Sequence, residues 1–407
     1  MHPKDLQIKD FSYHLPEDRI AKYPLANRDE SKLLIYKDKQ ISESVYQQIA
    51  NQIPENSLLV FNNTKVVEAR ILFQKESGAI IEIFCLEPDD QYPDITTAML
   101  QKGKVFWKCL VGGAKKWKEK QILKHIEIAG NTIIFSAERK VQIADYYLIE
   151  FNWDDATVSF AEILHAAGLI PLPPYLNRIA ETSDADRYQT IYAKYDGSVA
   201  APTAGLHFTE AVFEKLNEKN IETAYLTLHV GAGTFKPVKA EKMDEHEMHA
   251  EFIEVSVPLI EKIIAKLNSP IIPVGTTSMR TIESLYWLGI KVILNPAIKL
   301  SELFVNQWAP YEIDATDISA STALNALIIW MQKNEIEILI TKTQIIIAPG
   351  YEFKIANALI TNFHQPQSTL LLLVSALIGD DWKKVYAYAI ENDFRFLSYG
   401  DGCLLTK

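Results

Sequence analysis

Residues 271–289 read IIPVGTTSMRTIESLYWLG. The first four positions are apolar and short, the pattern of a buried strand rather than of a helix. Gly275 breaks the run, Thr276 and Thr277 follow, and SMRTIESLYWLG then carries apolar residues at helical spacing. A strand that ends in a turn and feeds a helix is the repeating unit of an α/β sheet, and such sheets gather their ligands where strands end.

Two other stretches repeat this logic. ETAYLTLHV, residues 222–230, delivers His229 to a glycine-containing loop, and ALITNFH, residues 358–364, ends at Asn362 and His364 before Pro366 and a helix starting near Ser368. Thr209 is a good N-cap for EAVFEKLNEK, which Asn220 can end. LLIY and LLVF, at 33–36 and 58–61, read as further strands, and VSFAEILHAA at 158–167 as a helix stopped by Gly168. Between about 71 and 151 the texture changes to short alternating runs such as AIIEIFCLE, KVFWKCLV, NTIIFSAE and YYLIEF, separated by turn residues. The expected architecture is therefore an α/β fold: a discontinuous catalytic domain from residues 1–65 and 153–407, interrupted at 66–152 by a small all-β, barrel-like domain.

With 407 residues, 48% hydrophobic and 23% charged, the chain suits a two-domain soluble protein. Cys85, Cys109 and Cys403 are widely spaced, form no zinc pattern and fit a reducing compartment, so a cytoplasmic location is expected. MHPKDLQIKD lacks a signal-peptide core, and no apolar run approaches the roughly 20 residues needed to cross a bilayer. A net charge of −11 argues against coating nucleic acid by bulk attraction. Residues 101–124 nevertheless hold eight lysines against one glutamate. They read either as a solvated hairpin whose lysines blunt an edge strand or as a phosphate-contacting patch. In the second case Lys104, Lys108, Lys115, Lys116 and Lys118 are the contacts, and Phe106, Trp107 and Trp117 are available for stacking on bases.

Glycine, proline, threonine and histidine crowd together in GSVAAPTAGLHF (197–208), LTLHVGAGTFKPV (226–238), VGTTSMRTIES (274–284) and LITNFHQPQSTLL (359–371), and the chain nearly ends on FRFLSYGD (394–401). Packing rarely asks for that mixture, so one site assembled from several loops is expected. GAGTFK has Lys236 where a dinucleotide fingerprint needs its third glycine, and no P-loop or nucleophile elbow occurs. His207, fixed among glycine and proline in PTAGLHF, is the obvious proton-transfer group, unless a carbonyl satisfies it structurally. His246 and His249 have the spacing to share a helix face, and with His229 and Glu251 would compose a metal site, although the zincin pattern fails. Arg280 can pair with Glu283 at i+3 as a surface bridge or hold a carboxylate beside the threonines. Arg395, Tyr399 and Asp401 offer a cationic ligand an aromatic face and a counter-charge.

Six of these segments, GSVAAPTAGLHFT, LTLHVGAGTFKPV, EHEMHAE, VGTTSMRTIES, LITNFHQPQSTLLLLVSAL and FRFLSYGD, resemble the S-adenosylmethionine:tRNA ribosyltransferase-isomerases of queuosine biosynthesis. So do FSYHLPEDRIAKYPLANRDESKLL and LLVFNNTKVVEAR near the N-terminus. Residues 295–344 match only loosely and read as an elaboration. The resemblance implies transfer of the ribosyl group of S-adenosylmethionine to 7-aminomethyl-7-deazaguanine at a tRNA wobble position, giving epoxyqueuosine with loss of adenine and methionine. It also implies an α/β domain with an inserted β-barrel that contacts tRNA, and no cofactor beyond S-adenosylmethionine, which is consumed. Under it, His207, His229, His364 and Thr203 become catalytic candidates. Asn62, Asn63, Pro202, Gly205, Gly231, Gly233, Thr234, His249, Thr276, Thr277, Arg280, Asn362, Phe396, Tyr399 and Asp401 become candidates for substrate binding, with Arg280 on the methionine carboxylate. Lys65 and Glu68 depart from the arginine and proline usual in that family. A metal-dependent hydrolase and a non-catalytic RNA-binding protein are the competing classes.

Overall fold

The computed structural model describes residues 2–144, 146–231, 240, 242–315 and 317–407. Nine strands form one mixed sheet, in the order Ile338–Thr343, Glu251–Ser256, Glu222–Leu228, Leu58–Asn62, Ile271–Val274, Ala358–Asn362, Gly402–Thr406, Lys32–Lys37 and Gln40–Val45. The four from Glu222–Leu228 to Ala358–Asn362 run parallel, so their carboxyl ends share one edge. Gly402–Thr406 and Glu251–Ser256 run antiparallel to the outer members of that group, Ala358–Asn362 and Glu222–Leu228, and therefore begin at the same edge.

Period-two alternation explains why both faces of this sheet are covered. Leu58, Val60, Leu34 and Leu226 point into one core, while Leu59, Phe61, Leu33 and Val274 point into the other. Full burial of each such side chain contributes about 1.5–3 kcal/mol. The helix Thr276–Leu294 is buried around most of its circumference, since the sheet lies on one side and the helix Ala320–Lys333 on the other. Residues 295–344 supply that second helix and the edge strand Ile338–Thr343.

The insert is a curled, half-barrel antiparallel sheet of seven strands: Gly168–Leu169, Arg70–Gln74, Ile80–Pro88, Lys104–Gly112, Tyr146–Trp153, Asn131–Ile143 and Gln121–Ile128. No ladder among the described residues closes it, and the helix Phe160–Ala167 packs into its core through Phe160, Ile163 and Leu164. This sheet includes the short strand Gly168–Leu169, and its core includes the helix before it. Along KVFWKCLV the alternation sends Val105, Trp107 and Cys109 inward. Trp107 and Trp117 are only 2% and 1% exposed, which overturns their reading as base-stacking platforms. The Arg139 guanidinium covers the Trp117 ring at 4.8 Å. The three cysteines are free and buried, and no helix among the described residues is long and apolar enough to cross a membrane.

Gly289 sits where the two long helices touch, and a Cβ there would lie 2.1 Å from the carbonyl oxygen of Ala323. Backbone cannot yield as a side-chain tip can, so Gly289→Ala is expected to lower unfolding free energy by about 1–3 kcal/mol in urea titrations. An unchanged midpoint would show that these helices do not pack as described.

Candidate active site

Five polar groups expected from the sequence meet at the carboxyl edge of the parallel strands. Thr203, Thr276, Thr277, Asn362 and His364 line one pocket with Pro202, joined by Thr361, Gln365, Ser368, Ser398 and Tyr175. Gly275 makes the floor turn at φ +90°, which a side chain would strain, and delivers Thr276 and Thr277 as the first residues of a 19-residue helix. Their amide groups have no partners within the helix and lie at its positive end.

A continuous hydrogen-bonded chain runs into this pocket. His207 Nδ1 lies 3.3 Å from the Arg28 carbonyl oxygen, Asn362 Nδ2 lies 3.3 Å from His207 Nε2, and the Thr203 hydroxyl donates to Asn362 Oδ1 at 2.9 Å. His207 is buried, its ring stacked on Tyr46 at 4.2 Å, and does not line the pocket. Both of its nitrogens are engaged, so the histidine satisfied by a carbonyl is the arrangement found. His364 differs. Its ring lines the pocket, Nε2 meets the Thr361 hydroxyl at 3.0 Å, and Nδ1 makes no hydrogen bond among the described residues.

A second cleft shares Val230 with the first and lies between the sheet edge and the insert. His229, Gly231 and His249 line it with Glu251, Lys108 and Tyr146. His229 places Nδ1 3.1 Å from the Thr64 hydroxyl and Nε2 3.2 Å from the Glu254 carboxylate. His246 and His249 lie in irregular chain rather than on a helix, and Glu251 pairs with Arg280. Three of the four residues proposed for a metal share this cleft, yet no group of three or more ligand side chains among the described residues is placed to hold an ion.

Several expected contacts have other partners. Arg280 is buried against Glu251 and donates to the Ile345 carbonyl, away from the threonine pocket, so it neither bridges to Glu283 nor offers a guanidinium there. Glu283 instead accepts from the amides of Lys354, Ile355 and Ala356 and from the Tyr351 hydroxyl. Phe396 belongs to an aromatic core with Phe363 and Tyr386. Tyr399 donates to Asp184, and Asp401 accepts from the backbone of Lys32 and from Arg395, leaving no aromatic face or counter-charge for a cation. Asn62 and Asn63 clamp strand ends, Asn63 by accepting from Thr227. Gly205 is buried outside the pocket lining, and Gly233 and Thr234 lie outside the described residues. Ser398, Thr361 and Thr64 went unread although each stands in a polar motif already noted. Glu254 gave no signal, since EFIEVS is an ordinary alternating strand.

On the insert, Lys104, Lys115, Lys116 and Lys118 are exposed. Lys108 is not, being held between Glu87 and Asp90 at 3.0 Å each. The departures Lys65 and Glu68 pair with Asp196 and His165.

A sequence model of queuosine biosynthesis proteins matches residues 8–405. The chain belongs to the queuosine biosynthesis protein family. A relative in this family, named S-adenosylmethionine:tRNA ribosyltransferase-isomerase, from Halothermothrix orenii, is 35% identical over 412 residues, covering 98% of this chain and 100% of that protein. A crystal structure of S-adenosylmethionine tRNA ribosyltransferase from Thermotoga maritima aligns over 97% of this chain and 99% of its own, with 26% identity and a TM-score of 0.46.

Burial disfavours the charged form of both imidazoles, drawing His207 from 6.5 down to about 4 and His364 to about 3. An unfolded histidine takes its proton near 6.5, so below that pH the unfolded chain binds more protons than the folded one. Stability should be full above about 6.5 and fall as pH drops toward 4, His364 continuing the loss toward 3. Urea midpoints at pH 7.5 and 5 should differ less in His207→Gln and His364→Gln than in the parent. An identical difference in all three proteins would contradict this.

Proposed function

We propose that this chain is an S-adenosylmethionine:tRNA ribosyltransferase-isomerase. It transfers the ribosyl group of S-adenosylmethionine to the aminomethyl group of 7-aminomethyl-7-deazaguanine at the tRNA wobble position and rearranges it to the epoxycyclopentane of epoxyqueuosine, with release of adenine and methionine. What carries the reading is the gathering of Thr203, Thr276, Thr277, Asn362 and His364 in one pocket at the strand ends of a chain that matches the family from residue 8 to 405.

The sulfonium of S-adenosylmethionine acidifies the adjacent ribose carbon, and the reaction needs a base there and an acid for departing adenine. His364 is the group suited to move a proton, being neutral, inside the pocket and unbonded at Nδ1 among the described residues. The first-turn amides of Thr276 and Thr277 take the place assigned from sequence to Arg280, facing the methionine carboxylate. S-adenosylmethionine is consumed as substrate, with no metal or prosthetic group, and the setting is the cytoplasm, where the tRNA is found. The division into a catalytic unit, 1–65 and 153–407, and an insert follows the same reading. The exposed lysines of the insert carry tRNA phosphates in an otherwise acidic protein.

Incubation with S-adenosylmethionine and tRNA bearing the deazaguanine precursor should yield epoxyqueuosine by nucleoside mass spectrometry, with adenine and methionine in equal amounts. Binding of the tRNA without consumption of S-adenosylmethionine would leave a non-catalytic RNA-binding protein. His364→Ala should slow adenine release roughly 10²- to 10⁴-fold. Replacing Lys115, Lys116 and Lys118 together by Gln should weaken tRNA binding and flatten its salt dependence while leaving S-adenosylmethionine affinity unchanged.

A further inference from the structure

Two backbone carbonyls fix the direction of every proton in the chain that leads from His207 to Thr203. A carbonyl oxygen only accepts, so the His207 nitrogen facing Arg28 O, Nδ1, carries the hydrogen. With the ring neutral, Nε2 is left as an acceptor, and the group facing it at 3.3 Å is the Asn362 amide nitrogen. The Asp401 carbonyl, 3.4 Å from the same Asn362 Nδ2, independently demands a donor there, so the amide cannot be turned the other way round. Asn362 Oδ1 must then face Thr203, and the Thr203 hydroxyl gives its only hydrogen to it at 2.9 Å. What Thr203 presents to the pocket is lone pairs alone. Another of the threonines lining this pocket has the reverse polarity. Thr277 Oγ1 accepts from Asn62 Nδ2 at 3.3 Å, and Asn62 is held by the backbone of Leu228, so the Thr277 proton remains for the pocket.

We infer that Thr203 is an obligate hydrogen-bond acceptor for a ribose hydroxyl of the sulfonium nucleoside, and that His207 and Asn362 are positioning residues that impose this polarity. The assignment rests on the functional reading above and names the part of the substrate that this wall recognises. A ribose hydroxyl fits because it must donate one hydrogen and can accept another, and the wall offers one acceptor in Thr203 and one donor in Thr277. His207 acts through Asn362 and touches no substrate, which explains why its ring is enclosed and stacked on Tyr46.

Binding of S-adenosylmethionine by calorimetry, with analogues lacking the 2′- or the 3′-hydroxyl, tests the assignment. Thr203→Val should weaken S-adenosylmethionine about tenfold, the effect of leaving one buried hydrogen bond unmade, while Thr203→Ser stays near the parent. One of the two deoxy analogues should bind the parent about as weakly, and should bind Thr203→Val no worse than S-adenosylmethionine does. His207→Gln can accept from Asn362 and donate to Arg28 O, so it should keep parental affinity. His207→Phe preserves the stacking but lets the Asn362 amide turn, and should approach Thr203→Val while adding little to it in the double variant. A purely structural His207 would instead give losses that add. Long-range ¹⁵N–¹H spectra of the imidazole should show the hydrogen on Nδ1. Full loss of Thr203→Val affinity against both deoxy analogues, parental affinity in Thr203→Val, or a hydrogen on Nε2 overturns the inference. A parent protein that binds no S-adenosylmethionine overturns the function on which it rests.

Discussion

The buried side chain of Asn62 makes four hydrogen bonds at the point where the central strands stop. It donates to the Leu228 carbonyl and to Thr277 Oγ1, and accepts from the amides of Leu228 and Thr64. Parallel strands expose unpaired amides and carbonyls where they end, and in a sheet covered on both faces those groups cannot turn to water. Asn62 therefore ties its own strand, the neighbouring strand Glu222–Leu228 and the helix that follows Ile271–Val274 into one rigid edge. Pocket walls built on such an edge hold their hydroxyls in fixed directions.

Much of this edge was legible in local sequence. The strand, glycine turn and helix at 271–289 form as their periodicity dictates, Thr209 and Ser368 cap the helices they precede, and three strand ends deliver Thr276, His229 and His364 to the same side of the sheet. What escaped reading depends on partners far along the chain. Arg280 has the sequence neighbours of a ligand-binding residue, but its acid is Glu251, on a strand three places away in the sheet order. FRFLSYGD has the composition of a binding loop, yet Asp401 and Tyr399 close onto Lys32, Arg395 and Asp184. Sequence reveals that a polar group needs a partner without saying which one it has found.

Electrostatics divides the molecule in the same way. The large acidic unit holds several of its arginines on buried acids, as with Arg178 on Asp184 and Arg395 on Asp401. The insert leaves Lys104, Lys115, Lys116 and Lys118 in water and turns Trp107 and Trp117 inward, while Phe106 stays half-buried.

The pairing of Lys32–Lys37 with Gly402–Thr406 has a consequence for synthesis. Lys32–Lys37 is made long before Gly402–Thr406, so its second edge stays uncovered until that distant strand has been made. Until then an apolar ribbon, KLLIYK, has only the hairpin strand Gln40–Val45 beside it. Contacts of such sequence separation form slowly and leave strands open to wrong partners in the meantime.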